Sequence, residues 1–82
     1  MAIPVYAFVR GDTLGLGVLV GEGESVNELA SRLSRAAAPR VASPEGSRVV
    51  HRGKVLRGEL TLSEAGIRAL DRVDLVPEQE LG

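Results

Sequence analysis

The chain has 82 residues, a net charge of −1, one His and no Cys. This length predicts a single domain, because a second hydrophobic core appears only in chains of on the order of 100 residues or more. With His51 as its only imidazole, the sequence excludes zinc fingers, iron–sulfur clusters, Cys nucleophiles and every metal site that needs two His ligands. Its 44% hydrophobic and 26% charged residues are typical of a folded globular domain.

Basic residues concentrate in the middle of the chain. Residues 32–57 contain seven of the ten Lys and Arg residues and a single acidic residue, Glu45. Binding of nucleic acid would also need stacking aromatic residues or a major-groove helix, and neither is evident in the sequence. The apolar stretch from Ile3 to Val9 is much shorter than the roughly 18 residues of a membrane span, and no signal-peptide pattern precedes it. We therefore expect a cytoplasmic protein that binds neither nucleic acid nor membranes.

A β-hairpin is predicted at the start of the chain. Ile3–Val9 and Leu14–Val20 are rich in β-branched and apolar residues, which favours two strands. The Arg10-Gly11-Asp12 between them spells an adhesion tripeptide, but a Gly-Asp pair between two apolar runs predicts a hairpin turn first.

A helix is predicted after the hairpin. Ser25-Val26-Asn27-Glu28 has the capping-box pattern, and apolar residues follow at helical spacing as far as Ala37. Pro39 disfavours helical geometry at the residue before it, so the helix should end near residue 38. Glu28 and Arg32, four residues apart, are expected to pair on the solvent-facing side.

The second half of the chain predicts shorter elements. They are a turn at 43–46, a strand at Arg48–Arg52, a turn at Gly53-Lys54, a short strand at Val55–Leu60, a second capping box with about one helical turn at Thr61-Leu62-Ser63-Glu64, and a last strand at Arg72–Val76 that Pro77 ends. Residues 78–82 form a polar tail that we expect to be mobile.

The order of these elements predicts an α+β fold of the ubiquitin-like β-grasp type. A hairpin, one long helix, two short strands and a last strand can form a mixed sheet with the helix packed on one face, and the last strand can lie beside the first. Residues 1–77 would make up this single domain. The stretch Thr61–Ile67 with the strand after it also looks like the corresponding part of ubiquitin.

No catalytic motif is complete in this sequence. Gly15-x-Gly17 lacks the third glycine and the βαβ context of a dinucleotide-binding loop. Ser25 and Thr61 are accounted for as helix caps. His51 would need a carboxylate partner that the sequence does not place, so an exposed histidine on a strand is favoured over a proton-transfer role.

The first strand predicts a protein-binding surface, because both of its faces are apolar. A strand with one side open to water should alternate apolar and polar residues, yet Tyr6 and Phe8 lie opposite the aliphatic face. On the second strand Gly15 and Gly17, with Leu19, would let another surface approach closely. Tyr6, Phe8, Gly15, Gly17 and Leu19 are therefore the candidate interface residues. The alternative is that the two aromatic side chains face the helix.

Short motifs along residues 3–76 resemble a known family. They are Pro4-Val5-x-Ala7, Ser25 at the helix start, Arg40-Val41-Ala42-x-x-Glu45-Gly46, and Thr61-x-x-Glu64-x-Gly66 before Val73-Asp74. In order and spacing these motifs resemble the small γ subunit of bacterial multicomponent diiron monooxygenases, the B protein of toluene 4-monooxygenase systems and of relatives that act on alkenes such as isoprene.

This resemblance implies a non-catalytic subunit of an oxidoreductase. The γ chain would bind the catalytic α subunit in a hydroxylase with two copies each of α, β and γ chains. The non-haem diiron centre and the O₂ chemistry would belong to the α subunit, and this chain would hold no cofactor or metal. Two alternatives remain at the sequence level: a ubiquitin-like modifier or sulfur carrier, for which the ending Leu81-Gly82 is a poor match, and a free-standing interaction module.

Overall fold

A five-stranded mixed sheet and one helix form in the computed structural model, which describes residues 2–41 and 46–81. The strands lie in the order β2-β1-β5-β3-β4; β1 and β5 run parallel, and the other neighbouring strands run antiparallel. The elements are β1 (Ala2–Val9), β2 (Gly15–Gly21), α1 (Val26–Ala37), β3 (Ser47–His51), β4 (Lys54–Val55) and β5 (Arg72–Pro77). The β-grasp prediction is confirmed. Residues 42–45, which include most of the turn predicted at 43–46, lie outside the described residues.

The core lies between one face of the sheet and the apolar side of α1. Leu29 and Leu33 of the helix are fully buried against the aliphatic residues of β1 and β5. Successive strand residues point to opposite faces, so every second residue of these strands enters the core. The core cluster is Val5, Ala7, Val9, Val20, Val26, Leu29, Leu33, Ala37, Val49, Leu56, Leu62, Ile67, Val73 and Leu75.

The start of α1 is capped from two parts of the chain. The Glu28 amide donates to Ser25 Oγ at 3.0 Å, and the Glu28 carboxylate accepts from the Ser25 amide, so the predicted capping box is present. The two earlier amides have no partner within the helix and donate instead to the 58–60 segment: Val26 to the Leu60 carbonyl at 2.9 Å, and Asn27 to the Gly58 carbonyl at 3.0 Å.

The same contacts correct the prediction of a strand at Val55–Leu60. Of the described residues of this segment, Lys54–Val55 forms a strand beside β3, the Leu56 amide adds one hydrogen bond to the Val49 carbonyl at 2.9 Å, and the chain then leaves the sheet. The carbonyls at residues 58 and 60 stabilise the helix terminus, because they accept hydrogen bonds from helix amides that would otherwise be unpaired. The second capping box follows as predicted, with reciprocal hydrogen bonds between Thr61 and Glu64 around one turn.

Two further details of the prediction were wrong. Glu28 caps the helix, and Arg32 pairs with Glu24 at 2.9 Å rather than with Glu28. The β3–β4 turn is Arg52-Gly53 rather than Gly53-Lys54, and both residues have positive φ, 53° and 79°. Two successive residues of positive φ are typical of the type I′ turn, whose twist suits a two-residue hairpin.

The hairpin turn between β1 and β2 is fixed by an ion pair. Asp12 accepts from Arg40 Nε at 3.0 Å and from the Leu14 amide at 3.1 Å, and Gly11 provides the positive φ of the turn. The Arg40 hydrogen bond, followed by that of the Leu14 amide, holds the pKa of Asp12 below its ordinary value of 3.8. Because this carboxylate is engaged with Arg40, the adhesion-tripeptide interpretation has no structural support, and the turn prediction is confirmed.

After β5 the chain makes a 3₁₀ turn at Glu78–Glu80. Two long-range ion pairs join this turn to the sheet, Arg10 with Glu80 and Arg48 with Glu78, both at 3.6 Å. These pairs are exposed, and exposed pairs contribute little to stability. The predicted mobility of residues 78–82 stays a prediction.

Replacement of the N-cap tests the link between helix start and fold stability. Ser25→Ala removes the oxygen that accepts from the Glu28 amide, so we expect the free energy of unfolding to fall by about 1 kcal/mol. Ser34→Ala is the matched control, since Ser34 lies inside the helix and its side chain makes no hydrogen bond to the described residues. Urea unfolding of both variants gives the comparison, and equal losses would contradict the capping role.

Candidate protein-interaction site

The face of the hairpin opposite α1 carries both aromatic residues. Tyr6 is 53% exposed and Leu19 is 63% exposed, whereas Val5, Ala7 and Val9, which alternate with the aromatics on β1, are buried. The alternative in which the aromatic side chains face the helix is therefore wrong. We call this surface the open hairpin face and define it by the five predicted residues: Tyr6, Phe8, Gly15, Gly17 and Leu19.

Phe8 is held in a stack on the open hairpin face. Gly15 lies directly opposite it on β2, and a Cβ at Gly15 would come within 2.8 Å of the Phe8 ring, so the ring covers the bare backbone. On the other side the Arg72 guanidinium lies 4.2 Å from the ring centroid, a cation–π contact. Phe8 is half-buried as a result, and its position is fixed by its neighbours.

Gly17 leaves an open space beside Tyr6. The two residues are cross-strand neighbours, yet no atom of the described residues lies within 4 Å of the position that a Gly17 Cβ would take. Pro4 pairs with Leu19 at the far end of the same face. The structure thus brings the five predicted residues onto one surface, but it divides them between the Phe8–Gly15 stack and an exposed apolar group around Gly17.

Charged residues of β5 border this surface, and sequence reasoning missed them. Arg72 lies beside Tyr6 and Asp74 beside Phe8 in the parallel pairing of β1 with β5, and the two charged side chains form an ion pair at 3.0 Å. Their alternation with buried Val73 and Leu75 places them on the open side, but nothing in the sequence shows which strand lies next to β1. The open hairpin face is therefore apolar on β2 and charged on β5.

His51 corrects the sequence prediction most clearly. It is buried, 6% exposed, and its Nε2 lies 2.9 Å from Asp71 Oδ2. An ionised carboxylate only accepts hydrogen bonds, so Nε2 is the donor. Asp71 also accepts from the Arg68 amide at 3.0 Å, and Arg52 Nη2 lies 3.7 Å from its other oxygen. The pair joins the end of β3 to the segment before β5.

The environment of Asp71 favours its charged form. The Arg68 amide, and after it the His51 ring and the Arg52 charge, hold the pKa of Asp71 below its ordinary value of 3.8, although partial burial opposes this. The His51–Asp71 pair lies in the wall of a surface cavity of about 380 Å³ that Val50 and Arg72 also line. A His–carboxylate pair can orient an imidazole for proton transfer, but the described residues that line this cavity include no Ser, Thr, Cys, Lys or Tyr that the imidazole could activate, so we interpret the pair as a structural clamp.

A metal-ligand cluster or a membrane-spanning helix would point to other functions. Its residues contain no group of three or more His, Cys, Asp or Glu side chains that could hold a metal ion. Across residues 2–41 and 46–81, no helix is long and apolar enough to cross a membrane.

The strand order and the single helix define a ubiquitin-like β-grasp fold, and comparison with known structures agrees. Caldiarchaeum subterraneum ubiquitin is 16% identical with a TM-score of 0.80, and the match covers 95% of each chain. The N-terminal ubiquitin-like domain of the 4931431F19Rik protein is 21% identical with a TM-score of 0.74, covering 92% of this chain and 73% of that one. At these identities the likeness shows the fold alone.

The family is shown by a match over almost the whole chain. The family model of toluene-4-monooxygenase system protein B matches residues 2–76, so the chain belongs to this family. A chain from the toluene 4-monooxygenase HD complex with the inhibitor 4-bromobenzoate is 28% identical with a TM-score of 0.86, and the match covers 95% of this chain and 100% of that one. A search of curated protein sequences found no match. The two positive matches support an accessory subunit of a monooxygenase.

Substitution of the two glycines on β2 tests the Phe8 stack. A methyl group at Gly15 would displace the Phe8 ring from Arg72, whereas one at Gly17 meets nothing. Both substitutions reduce the conformational freedom of the unfolded chain by the same amount. The difference between their free energies of unfolding therefore reports the displacement of the Phe8 ring. We expect Gly15→Ala to be less stable than Gly17→Ala by about 1 kcal/mol in urea unfolding. The Arg72 side-chain protons should lose their ring-current NMR shift in the Gly15 variant alone; loss in both would contradict the stack.

The lowered pKa of Asp71 should make the stability of the protein depend on pH. Because folding lowers its pKa, the unfolded chain binds more protons in acid, and stability falls as the pH drops through the folded pKa of Asp71. Its contribution is complete above the ordinary value of 3.8. We expect wild type to be more stable than Asp71→Asn at about pH 6 and this difference to shrink towards about pH 2. Thermal unfolding across this range measures it, and a pH-independent difference would refute the assignment.

Proposed function

We propose that this chain is the non-catalytic γ subunit of a multicomponent diiron hydrocarbon monooxygenase and that it binds the catalytic α subunit through the open hairpin face. The substrate class would be aromatic, of the toluene type, or an alkene of the isoprene type. The family match and the likeness to a chain of a toluene 4-monooxygenase complex support the system to which the chain would belong.

One observation carries the choice of surface. Tyr6 and Leu19 are more than half exposed on a face whose neighbouring backbone at Gly17 is bare. Exposed Tyr is typical of the residues that dominate binding energy at protein interfaces, because the ring buries a large area with few rotatable bonds. A solvated sheet face would instead place polar residues at these positions.

The chemistry would belong to the partner. The described residues of this chain do not fit an iron pair, since they bring no set of carboxylate and His ligands together. In the proposed assembly the non-haem diiron centre lies in the α subunit, which would insert one oxygen atom of O₂ into the hydrocarbon. This chain would support the α subunit, in a hydroxylase with two copies each of α, β and γ chains.

Competitive assembly tests the proposed surface. Tyr6→Ser with an affinity tag is co-expressed with the α and β subunits and an untagged wild-type copy of this chain, and mass spectrometry gives the ratio of the two in the purified iron-containing complex. We expect the variant to be depleted about 30-fold, the effect of losing about 2 kcal/mol at an interfacial Tyr. Its stability as an isolated chain should change by less than about 1 kcal/mol, because Tyr6 is exposed.

Val55→Ser is the matched control. Val55 is 43% exposed, but it lies in β4 at the opposite edge of the sheet, so this variant should enter the complex in the same proportion as wild type. Equal incorporation of Tyr6→Ser would move the interface away from the open hairpin face. Failure of the wild-type chain to join a hydroxylase, or its recovery as an adduct through Gly82, would overturn the proposed function itself.

A further inference from the structure

The outer edge of the sheet at β2 is long, uncharged and apolar. In the described part of the chain β2 lies first in the strand order and pairs with β1 alone, so one row of its backbone groups has no described strand beside it. Its seven residues, Gly-Leu-Gly-Val-Leu-Val-Gly, include no charged residue and no Pro. Natural proteins protect such edges with charges, Pro, bulges or covering segments, because an unprotected edge pairs readily with another chain.

The hydrogen bonds of β1 show which β2 groups point outward. The Tyr6 amide donates to the Asp71 carbonyl, and the Pro4 carbonyl accepts from the Leu70 amide, so the backbone groups of these even-numbered residues point towards β5. In an antiparallel ladder the alternate residues, Val5 and Ala7, then exchange bonds with β2. Their partners there are Val18 and Leu16. The backbone groups of Gly15, Gly17 and Leu19 therefore face away from the sheet.

One end of this edge is already occupied. Arg32 Nη2 donates to the Leu19 carbonyl at 2.8 Å, and the Gly21 amide donates to Glu24 at 3.3 Å. Arg32 and Glu24 are joined by an ion pair at 2.9 Å, so the two side chains form a clip over the edge from Leu19 to Gly21. The free part of the edge extends from Gly15 to the Leu19 amide.

A groove lies along the free part of the edge. It measures about 410 Å³ between β2 and α1, and its walls are mostly apolar, formed by Leu16, Val18, Leu33 and Ala36, with Arg32 at one end. A strand added to β2 would direct every second side chain into this groove and the others towards the open hairpin face. The Arg32 side chain remains 37% exposed beside its partner Glu24, which suits an acidic residue in an added strand.

A second copy of this chain fits the edge poorly. In a two-fold antiparallel pairing centred on Gly17, Gly15 of each copy would lie opposite Leu19 of the other. The Leu19 carbonyl is occupied by Arg32 in both copies, so the pairing would lose a hydrogen bond and meet a side-chain clip at each end. A different chain, without this clip, can use all the free groups.

We propose that the β2 edge from Gly15 to Leu19 pairs with a short extended segment of the hydroxylase α subunit that is apolar towards the groove and carries an acidic residue beside Arg32. This inference rests on the proposed function, and it adds backbone pairing at the edge to side-chain contact at the open hairpin face. The two surfaces are continuous, because Gly17 and Leu19 belong to both.

Gly17→Pro tests the edge selectively. Proline lacks the outward amide of Gly17 and leaves the bonds of Leu16 and Val18 to β1 in place, so an edge strand tolerates it. Gly17→Ala is the matched comparison, since it adds a carbon on the open hairpin face and keeps the amide. In the competitive assembly experiment we expect Gly17→Pro to be depleted about tenfold relative to Gly17→Ala, the loss expected when a partner carbonyl is left unpaired. Equal incorporation of the two variants would refute the edge pairing.

Hydrogen exchange on the wild-type chain gives a second readout that needs no variant. In the isolated chain the amides of Gly15, Gly17 and Leu19 should exchange rapidly, while those of Leu16 and Val18 are protected by β1. In the complex with the hydroxylase, Gly17 and Leu19 should become at least about 100-fold slower, a pattern that alternates along one strand. A complex that forms without this protection overturns the edge inference and leaves the proposed function standing. A homodimer whose amides show the same alternating protection overturns the choice of partner.

Discussion

The alternation of side chains along β1 determines most of what this molecule can do. Burial of Val5, Ala7 and Val9 against α1 places the intervening residues on the opposite face, because a strand has a strict two-residue period. A shift of one residue would bury Tyr6 and Phe8 and expose the aliphatic face. β1 also pairs with β5 along Tyr6–Val9 and with β2 along Ala2–Phe8, so its register is held from both directions. The exposed aromatics are thus a consequence of core formation.

The position of α1 over this sheet depends on the segment that leaves β4. A helix of twelve residues is short, and its first amides need partners that the helix itself does not supply. The carbonyls of Gly58 and Leu60 meet this need, and Ser25 forms a bridge with Thr61 beside them. Two capping boxes therefore begin next to each other, one for the helix and one for the turn before β5. The bridge between Ser25 and Thr61 joins parts of the chain that are 36 residues apart.

Local patterns predicted the parts of the fold that depend on neighbours in sequence. The capping boxes at Ser25 and Thr61, the hairpin and the face of β1 each follow from residues within a few positions of one another. Long-range partners escaped prediction. The sequence pattern predicted a strand at Val55–Leu60, whereas the carbonyls of Gly58 and Leu60 cap a helix that begins more than thirty residues earlier. His51 follows two adjacent valines, so alternation did not say which face it takes, and Asp71 is twenty residues away.

The candidate site was also predictable only where it depends on residues close in sequence. Period two placed Tyr6, Phe8, Gly15, Gly17 and Leu19 on one face, and this required only the hairpin register. The role of Arg72 did not follow, because it depends on β5 inserting beside β1. The different environments of the two glycines could not be predicted either. The Phe8 ring packs on Gly15, whereas Gly17 is exposed, and the sequence does not show which side chain packs on a strand glycine.

Gly15 and Gly17 of β2 have different roles, and each role depends on the absence of a side chain. At Gly15 the missing side chain admits the Phe8 ring, and at Gly17 it leaves the face open beside Tyr6. Glycine weakens an edge strand by itself, because it loses more conformational freedom on folding than other residues. Three glycines in an unprotected edge strand therefore reduce the stability of an isolated domain. This loss is smaller for a domain whose edge strand pairs with another chain on assembly. The Arg32–Glu24 clip agrees with this argument, since it covers the edge from Leu19 to Gly21 and leaves the end at Gly15 and Gly17 free.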